Sequence, residues 1–223
     1  MQQLLVTSTN APEYGWLIEK CYSFRHKFFV DGLKWETLRR TDGRDVDQFD
    51  VPGVVHVIGV DQGEVFSYSR LLPTTRPHLL NTIYPQMLEG NPEPVGKSIW
   101  EWTRCAVDSK RREGRKAADP ATSGMTLGVI EACIQLGIKA LHVQTHPMLL
   151  TRLMELGFKC KPLALPSQHE GQGVVPFLAH VSEYTLRTAR AVLGVSDTVL
   201  SPIDDDQGYS NPHTVMPLVV QAG

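Results

Sequence analysis

The chain has 223 residues, a formal net charge of -2 and 42% hydrophobic residues. This composition is typical of a globular protein of one large domain, and it gives no global reason to expect nucleic acid or an anionic membrane as a partner. No apolar run approaches the ~20 residues that a membrane span needs. Four widely spaced cysteines without a C-x-x-C pair predict reduced thiols and a cytoplasmic location.

The predicted elements alternate between helices and strands. From apolar periodicity and turn signals we expect a helical segment at 13–30, strands at 54–60, 64–72 and 98–107, a helix at 121–137, a strand at 139–145, a helix at 148–157 and a late strand at 174–186. The turn Asp61-Gln62-Gly63 predicts that the first two strands form an antiparallel hairpin, and Gly137 should end the first of the two later helices. The order predicts an α/β sandwich with a mixed central sheet and helices on both faces.

The domain should cover residues 1–195. Beyond Val195 the chain turns to Ser, Asp, Pro and Gly. We therefore expect residues 196–223 to form a loosely ordered tail.

The stretch SIWEWTRCAV, residues 98–107, places Glu101 and Arg104 inside an apolar strand. A buried charge is unfavourable by several kcal/mol unless it is paired, so both residues need partners or a chemical role. Alternate residues of a strand share a face, so these two should point to opposite sides. Either one of them serves the back of the sheet, or a β-bulge brings both to one side.

Further charged and aromatic residues complete a pattern. The acidic run GRDVDQFD supplies Asp45, Asp47 and Asp50. The ordered set is Arg25-x3-Phe29-x5-Trp35-x11-Asp47-x2-Asp50, then Arg70 in RLLPTTRP, then Trp100-Glu101-x2-Arg104. Across residues 20–160 this set resembles the LuxI-type acyl-homoserine lactone synthases, the autoinducer synthases of quorum sensing.

The resemblance implies a fold similar to the GCN5-related N-acetyltransferases, a three-layer α/β/α sandwich with a mixed, mostly antiparallel sheet. It implies two substrates, S-adenosylmethionine and an acyl thioester, and no prosthetic group. The amine of S-adenosylmethionine takes the acyl group, and its carboxylate then closes the lactone and expels 5′-methylthioadenosine. In that fold the sheet splays beside the thioester, which favours the β-bulge.

On this resemblance the S-adenosylmethionine site is expected to contain Arg25, Phe29, Trp35, Asp47, Asp50 and Arg104. Acidic groups attract the sulfonium and ammonium, an arginine holds the carboxylate, and the rings stack. The expected catalytic set is Glu101, Asp47, Arg70 and Arg104. Glu101 is the first candidate for the general base and Asp47 the second. The alternative is a purely structural network with the pairs Arg70–Glu101 and Arg104–Asp47.

The expected acyl pocket contains Trp100, Trp102, Thr103, Gln144 and Thr145. Core packing is the alternative role for the tryptophans and strand packing for Thr145, while Gln144 and Thr145 compete for one position. Two bulky tryptophans favour a short, branched or aromatic acyl group.

The resemblance implies that the acyl donor is either acyl carrier protein or acyl-coenzyme A. A basic cluster can meet an acidic carrier or the phosphates of coenzyme A, and it consists of Arg111, Arg112, Arg115 and Lys116. A solvated loop is the alternative. His142 and His146 share a strand face without a third ligand, so we expect no metal.

Two other functions remain open from the sequence. One is a coenzyme A-dependent N-acetyltransferase acting on another amine, and the other is a catalytically silent protein that binds a thioester or S-adenosylmethionine. Release of 5′-methylthioadenosine separates the three.

Overall fold

The computed structural model describes residues 2–111, 119–169 and 171–201. The strands are β1 Gln2–Val6, β2 Val55–Asp61, β3 Glu64–Pro73, β4 Ile99–Val107, β5 Ala140–Thr145, β6 Lys159–Pro162, β7 Ser167–His169, β8 Gln172–His180 and β9 Leu200–Ser201. The helices are α1 Gly15–Arg25, α2 Leu79–Thr82, α3 Pro120–Leu136, α4 Pro147–Glu155 and α5 Glu183–Leu193. A π-helical segment, His26–Gly32, continues α1. Within the described ranges, no helix is long and apolar enough to cross a membrane.

One mixed sheet organises the domain. Its strands lie in the order β6-β8-β5-β4-β3-β2-β1-β9, and β7 pairs with β8 outside this path. The pairs β4–β5 and β1–β9 are parallel, and the others are antiparallel. The predicted hairpin of β2 and β3 is confirmed.

Helices cover both faces of this sheet, as the sequence predicts. Alternation along β1 and β2 sends Leu5 and Val57 into the core under α3, and Leu4 and Ile58 into a second core under α1. The α3 face also carries Leu153 of α4 and has the largest cluster of buried apolar side chains among the described residues. The result is a three-layer α/β/α sandwich.

Two predicted elements have different bounds in the structure. The helical segment at 13–30 begins at Gly15 and changes to π-helical hydrogen bonding at His26. The late strand does not run to 186: β8 ends at His180, and the Ser182 side chain accepts a hydrogen bond from the Thr185 amide to start α5. Ser182 favours the start of a helix over continuation of the strand, because its side chain caps the first helical turn. The strand β1 has no counterpart among the predicted elements.

The described chain continues on the domain beyond Val195. Leu200 and Ser201 pair with β1, and the buried Glu131 of α3 accepts hydrogen bonds from the amides of Val199 and Leu200, at 3.0 Å each. The domain therefore extends at least to Ser201. Residues 202–223 of the predicted tail lie outside the described residues.

Candidate active site

Three arginines and three aspartates form a closed ring of ion pairs on the α1 face of the sheet. Each arginine contacts at least two of the aspartates, and each aspartate contacts at least two of the arginines. A longer contact of 3.9 Å joins Arg25 Nη2 to Asp47 Oδ2 across the ring. In order around this ion-pair ring, the members are Arg25, Asp45, Arg104, Asp47, Arg70 and Asp50. The formal charges cancel, so the ring satisfies the condition under which buried charges are tolerated.

Arg25 enters the ring from the last turn of α1, with its side chain fully buried. Its Nη1 and Nη2 donate to Oδ1 and Oδ2 of Asp50 at 2.8 and 3.0 Å, and its Nε donates to Asp45 Oδ2 at 3.1 Å. Such a fork-to-carboxylate pair fixes both distance and plane. Asp45 is 2% exposed and joins two arginines. The sequence analysis did not include it in the site.

Arg70 comes from the middle of β3. Its Nη1 and Nη2 donate to the two carboxylate oxygens of Asp47 at 2.7 and 2.8 Å, and Nη1 also donates to Asp50 Oδ1 at 2.7 Å. The Nε donates to Thr103 Oγ1 of β4 at 3.0 Å. The alternative of a purely structural network included an ion pair between Arg70 and Glu101. The described residues do not form it, because Asp47 and Asp50 occupy the Arg70 guanidinium.

The β-bulge favoured by the sequence analysis is confirmed at Arg104. The pairing of β3 with β4 slips between Tyr68 and Arg70, and Arg104 adopts a left-handed backbone with φ of 53°. Its Nε donates to Asp45 Oδ2 at 2.7 Å and its Nη2 to Asp47 Oδ2 at 3.0 Å. The bulge thus turns Arg104 toward the face of Arg70. Of the pairs expected from sequence, Arg104–Asp47 is present.

The ring keeps its aspartates ionised. Burial favours the neutral acid, but Arg70 and Arg25 outweigh it and hold the pKa of Asp50 at about 2. Burial opposes Arg70 in the same way at Asp47, whose pKa also lies below its usual range. Asp47 is the most exposed of the three carboxylates, with 20% of its side chain accessible. It is therefore the member that a ligand reaches most easily.

Two aromatic side chains cover the edge of the ion-pair ring. Phe29 and Trp35 stack with centroids 5.0 Å apart, and the Arg104 guanidinium lies 5.5 Å from the Phe29 centroid. Phe29 is buried, whereas Trp35 is 38% exposed. The stack presents an accessible indole beside Arg104, an arrangement suited to cations and flat rings.

Glu101 lies on the same face of β4 but outside the ring. Its two carboxylate oxygens accept hydrogen bonds from the amides of Leu79 and Leu80, both at 2.8 Å. Burial raises the pKa of the Glu101 carboxyl, and the charge of His78 with the two amides opposes this only in part. A carboxyl with a raised pKa is a better proton acceptor than the aspartates of the ring.

The sheet opens next to Glu101. The pairing of β4 with β5 covers only three residue pairs and ends where Glu101 lies beside His142. Beyond this point β4 remains paired with β3, and β5 remains paired with β8. The splay expected from the resemblance is therefore present, with a buried carboxylate at its apex.

The predicted acyl-pocket residues divide between the two faces. Trp102 is buried in the core under α3, and Trp100 packs against that core with its Nε1 donating to the Lys97 carbonyl at 3.1 Å. Thr103 lies on the opposite face against Arg70. By alternation along β5, Gln144 shares the face of His142 and Glu101, and Thr145 shares the face of the tryptophans.

Of the predicted donor-docking cluster, Arg111 alone lies among the described residues. It ends a short 3-10 turn, its Nη1 lies 2.5 Å from Asp61 Oδ2, and its guanidinium lies over the Phe66 ring. Arg112, Arg115 and Lys116 lie outside the described residues.

The two histidines considered for a metal, His142 and His146, lie in different elements of the structure. His146 is exposed and caps α4, whereas His142 is buried and lies near His78 and Glu93. Burial, followed by the charge of His78, lowers the pKa of His142 to about 4 against a smaller raising effect of the Pro94 carbonyl. Sequence reasoning missed His78 and Glu93, because no local pattern links them to β5.

The comparisons with known proteins agree with this geometry. The family model described as autoinducer synthase matches residues 13–183. The isovaleryl-homoserine lactone synthase of Bradyrhizobium diazoefficiens is 29% identical over 194 residues, which cover 87% of this chain and 86% of the relative. The solved structure of a CoA-dependent acyl-homoserine lactone synthase, BjaI, with SAM (S-adenosylmethionine) and isopentyl-CoA is similar with a TM-score of 0.82 at 28% identity, covering 90% of this chain and 92% of that one.

A more distant structure has the same fold. An acyl-CoA N-acyltransferase from Pseudomonas aeruginosa is similar with a TM-score of 0.54 at 12% identity, covering 79% of this chain and 97% of that one. The chain belongs to the autoinducer synthase family, and it is an acyltransferase on a three-layer α/β/α sandwich.

Proposed function

We propose that this chain synthesises an N-acyl-L-homoserine lactone from S-adenosylmethionine and an acyl thioester. The observation that carries the proposal is the position of Glu101. This buried carboxylate lies where β4 and β5 separate, on the same face as the ion-pair ring and the stack of Phe29 and Trp35. One side of Glu101 thus offers a gap for a thioester, and the other side offers groups for a charged adenosyl substrate.

The reaction needs a proton acceptor for its first step. The ammonium of S-adenosylmethionine loses a proton to Glu101, the amine attacks the thioester carbonyl, and the carbon–sulfur bond of the thioester breaks. The attacking nitrogen loses its second proton as the amide forms, and the departing thiolate takes up that proton. Glu101 suits this role better than Asp47, because burial raises the pKa of Glu101 while Arg70 holds that of Asp47 low.

Lactone closure needs positioning more than acid–base chemistry. The carboxylate of the acylated intermediate attacks its own γ-carbon, the bond from that carbon to the sulfonium breaks, and 5′-methylthioadenosine leaves as a neutral thioether. Holding the carboxylate folded back supplies much of the acceleration. We assign Arg104 to this carboxylate, because its guanidinium lies against the stack of Phe29 and Trp35, whereas all three guanidinium nitrogens of Arg25 donate to aspartates.

We assign acyl-coenzyme A with a short branched chain as the donor. The likeness to the isovaleryl-homoserine lactone synthase and to the CoA-dependent BjaI supports this choice. Trp100 and Trp102 fill the core on the α3 side of β4 next to the splay, and their bulk favours a short acyl group. The expected cytoplasmic location is consistent with these substrates, since both are cytoplasmic metabolites.

The test is a reconstitution with the purified full chain. The chain is mixed with S-adenosylmethionine and a panel of isovaleryl, straight-chain and aromatic acyl-coenzyme A thioesters, together with the same acyl groups on acyl carrier protein. We expect release of 5′-methylthioadenosine and a product with the homoserine-lactone fragment ion, fastest with isovaleryl-coenzyme A.

Other outcomes separate the alternatives. Faster turnover with acyl carrier protein would move the donor assignment while keeping the synthase. Coenzyme A release with an unrelated amine, without 5′-methylthioadenosine, would indicate an N-acetyltransferase. Absence of turnover with every donor would contradict the proposed function.

A further inference from the structure

Three residues from separate segments meet beside the splay of the sheet. His78 precedes α2, Glu93 lies in the loop before β4, and His142 lies on β5. One ligand atom from each lies within 4.8 Å of the others. Both histidines are fully buried, and 15% of the Glu93 side chain is exposed. We call this group the His–Glu–His cluster.

The hydrogen bonds of His78 require a cation in this cluster. Its Nδ1 lies 2.8 Å from the Arg76 carbonyl, and a carbonyl only accepts, so Nδ1 carries a proton. Its Nε2 lies 2.5 Å from Glu93 Oε1. If the His78 imidazole is neutral, Nε2 carries a lone pair that faces a lone pair of the carboxylate, and the two repel each other. An added proton or a metal ion must therefore lie between the two atoms.

The surroundings of His142 favour a metal ion over a proton in this cluster. Its Nδ1 lies 3.5 Å from the same Glu93 oxygen. The Pro94 carbonyl also lies near the ring, but neither ring nitrogen makes a hydrogen bond of normal geometry within the described residues. A buried polar group without a partner is unfavourable by about 1–3 kcal/mol. A proton shared by His78 and Glu93 leaves His142 unsatisfied, whereas a metal ion uses its lone pair.

We propose that His78, Glu93 and His142 bind a divalent transition-metal ion of the Zn²⁺ class. Two imidazoles and one carboxylate are a ligand set that zinc accepts, with a fourth position left for water. The backbone carbonyl at His78 Nδ1 is the outer partner that fixes a zinc-bound histidine in the correct tautomer.

The distances agree with this ion after a small adjustment. Zinc bonds of about 2.0–2.1 Å in a tetrahedron set ligand atoms roughly 3.3 Å apart. The separation of His142 and Glu93, 3.5 Å, already matches this value. The contact of His78 and Glu93, at 2.5 Å, must open by about 0.8 Å. A rotation of the partly exposed Glu93 carboxylate is enough for that.

The experiment measures metal directly and does not depend on turnover. The full chain is purified with a tag free of histidine, its metal content is determined by mass spectrometry, and Zn²⁺ binding is titrated by calorimetry. Co²⁺ serves as a spectroscopic probe through its visible bands in a four-coordinate site. We expect one equivalent of Zn²⁺, and a loss of affinity of at least 100-fold in Glu93→Gln and His142→Leu.

The matched control is His180→Ala on the neighbouring strand β8, where the histidine is exposed. Its metal affinity should equal that of the unmodified chain. Absence of stoichiometric Zn²⁺ in the unmodified chain would overturn the proposal, even if a variant fails to fold. Binding that survives His142→Leu would overturn it as well. Neither result bears on lactone synthesis, so this proposal and the proposed function fail independently.

Discussion

Two polar regions lie on the same face of β4, and they differ in how their charges are paired. On the β3 side, each member of the ion-pair ring has at least two oppositely charged neighbours. On the β5 side, Glu101 is held by backbone amides and His142 has unsatisfied nitrogens. A closed ring holds a shape, whereas an incompletely paired region has capacity for a substrate, a proton or an ion. We infer that the ion-pair ring positions the substrate and that the chemical step takes place on the β5 side.

Breaking the ring should give the largest loss of stability. Asp50→Asn removes a charge that pairs with both Arg25 and Arg70, which leaves two buried guanidinium groups short of a partner. Removing one partner of a buried pair costs about 3–5 kcal/mol. We expect a decrease of this size in the free energy of unfolding, measured by urea denaturation.

The matched control for the ring is Glu36→Gln, which breaks the exposed pair with Arg39. Because exposed pairs contribute little, the urea midpoint should stay unchanged. Equal effects of the two substitutions would contradict the view that the ring holds the fold.

Glu101→Gln tests the other region. We expect turnover to fall at least 100-fold while circular dichroism and S-adenosylmethionine binding persist. The melting temperature should fall by a few degrees, because the glutamine presents an N–H₂ group to one of the amides of Leu79 and Leu80. Full activity in a folded variant would remove Glu101 from the mechanism.

The sequence predicted the parts of this arrangement that have a local pattern. Strand parity at Glu101 and Arg104 left two arrangements open, and the family resemblance favoured the bulge that the structure has. The hairpin followed from the turn at Gly63. The role of Asp45 was missed, because neighbouring acidic residues in a loop have no periodicity that indicates which of them turns inward. The His–Glu–His cluster was missed because three distant segments supply one residue each. Tertiary packing alone brings them together.

His56 should make the ring side sensitive to acid. It lies in β2 with its Nδ1 2.7 Å from the Tyr68 hydroxyl, and burial, aided by Arg70 and Arg25 against Asp50, lowers its pKa to about 4. The unfolded chain binds a proton below about pH 6.5, but the folded chain does not until about pH 4. The free energy of unfolding should therefore fall as the pH drops through this window, by up to roughly 3 kcal/mol.

The comparison variant is His56→Gln, measured by urea denaturation from pH 7.5 to 4.5. The slope of stability against pH should be smaller in this variant than in the unmodified chain. An identical slope in both proteins would show that the buried imidazole does not carry the effect.

At the bulge, the effect of the Arg104 backbone conformation on stability can be separated from the role of its side chain in synthesis. Arg104→Ala and Arg104→Gly both remove the guanidinium that pairs with Asp45 and Asp47, and both should lose lactone synthesis. A left-handed residue with a Cβ costs about 1–2 kcal/mol, and glycine avoids this cost. Arg104→Gly should thus be about 1 kcal/mol more stable than Arg104→Ala in urea denaturation. The reverse order would show that the left-handed backbone is not retained.

Arg111→Glu should give the smallest effect, outside both regions. Arg111 is partly exposed and pairs with Asp61 at the turn of the β2–β3 hairpin, so stability should change little. Reversing its charge should weaken the attraction of an anionic acyl donor and raise the KM for the thioester a few-fold, with kcat unchanged. Asp61→Asn is the matched control, since it breaks the same pair without adding negative charge. A KM that rises equally in both variants would locate the effect in the pair, and an unchanged KM in Arg111→Glu would show that the donor binds elsewhere.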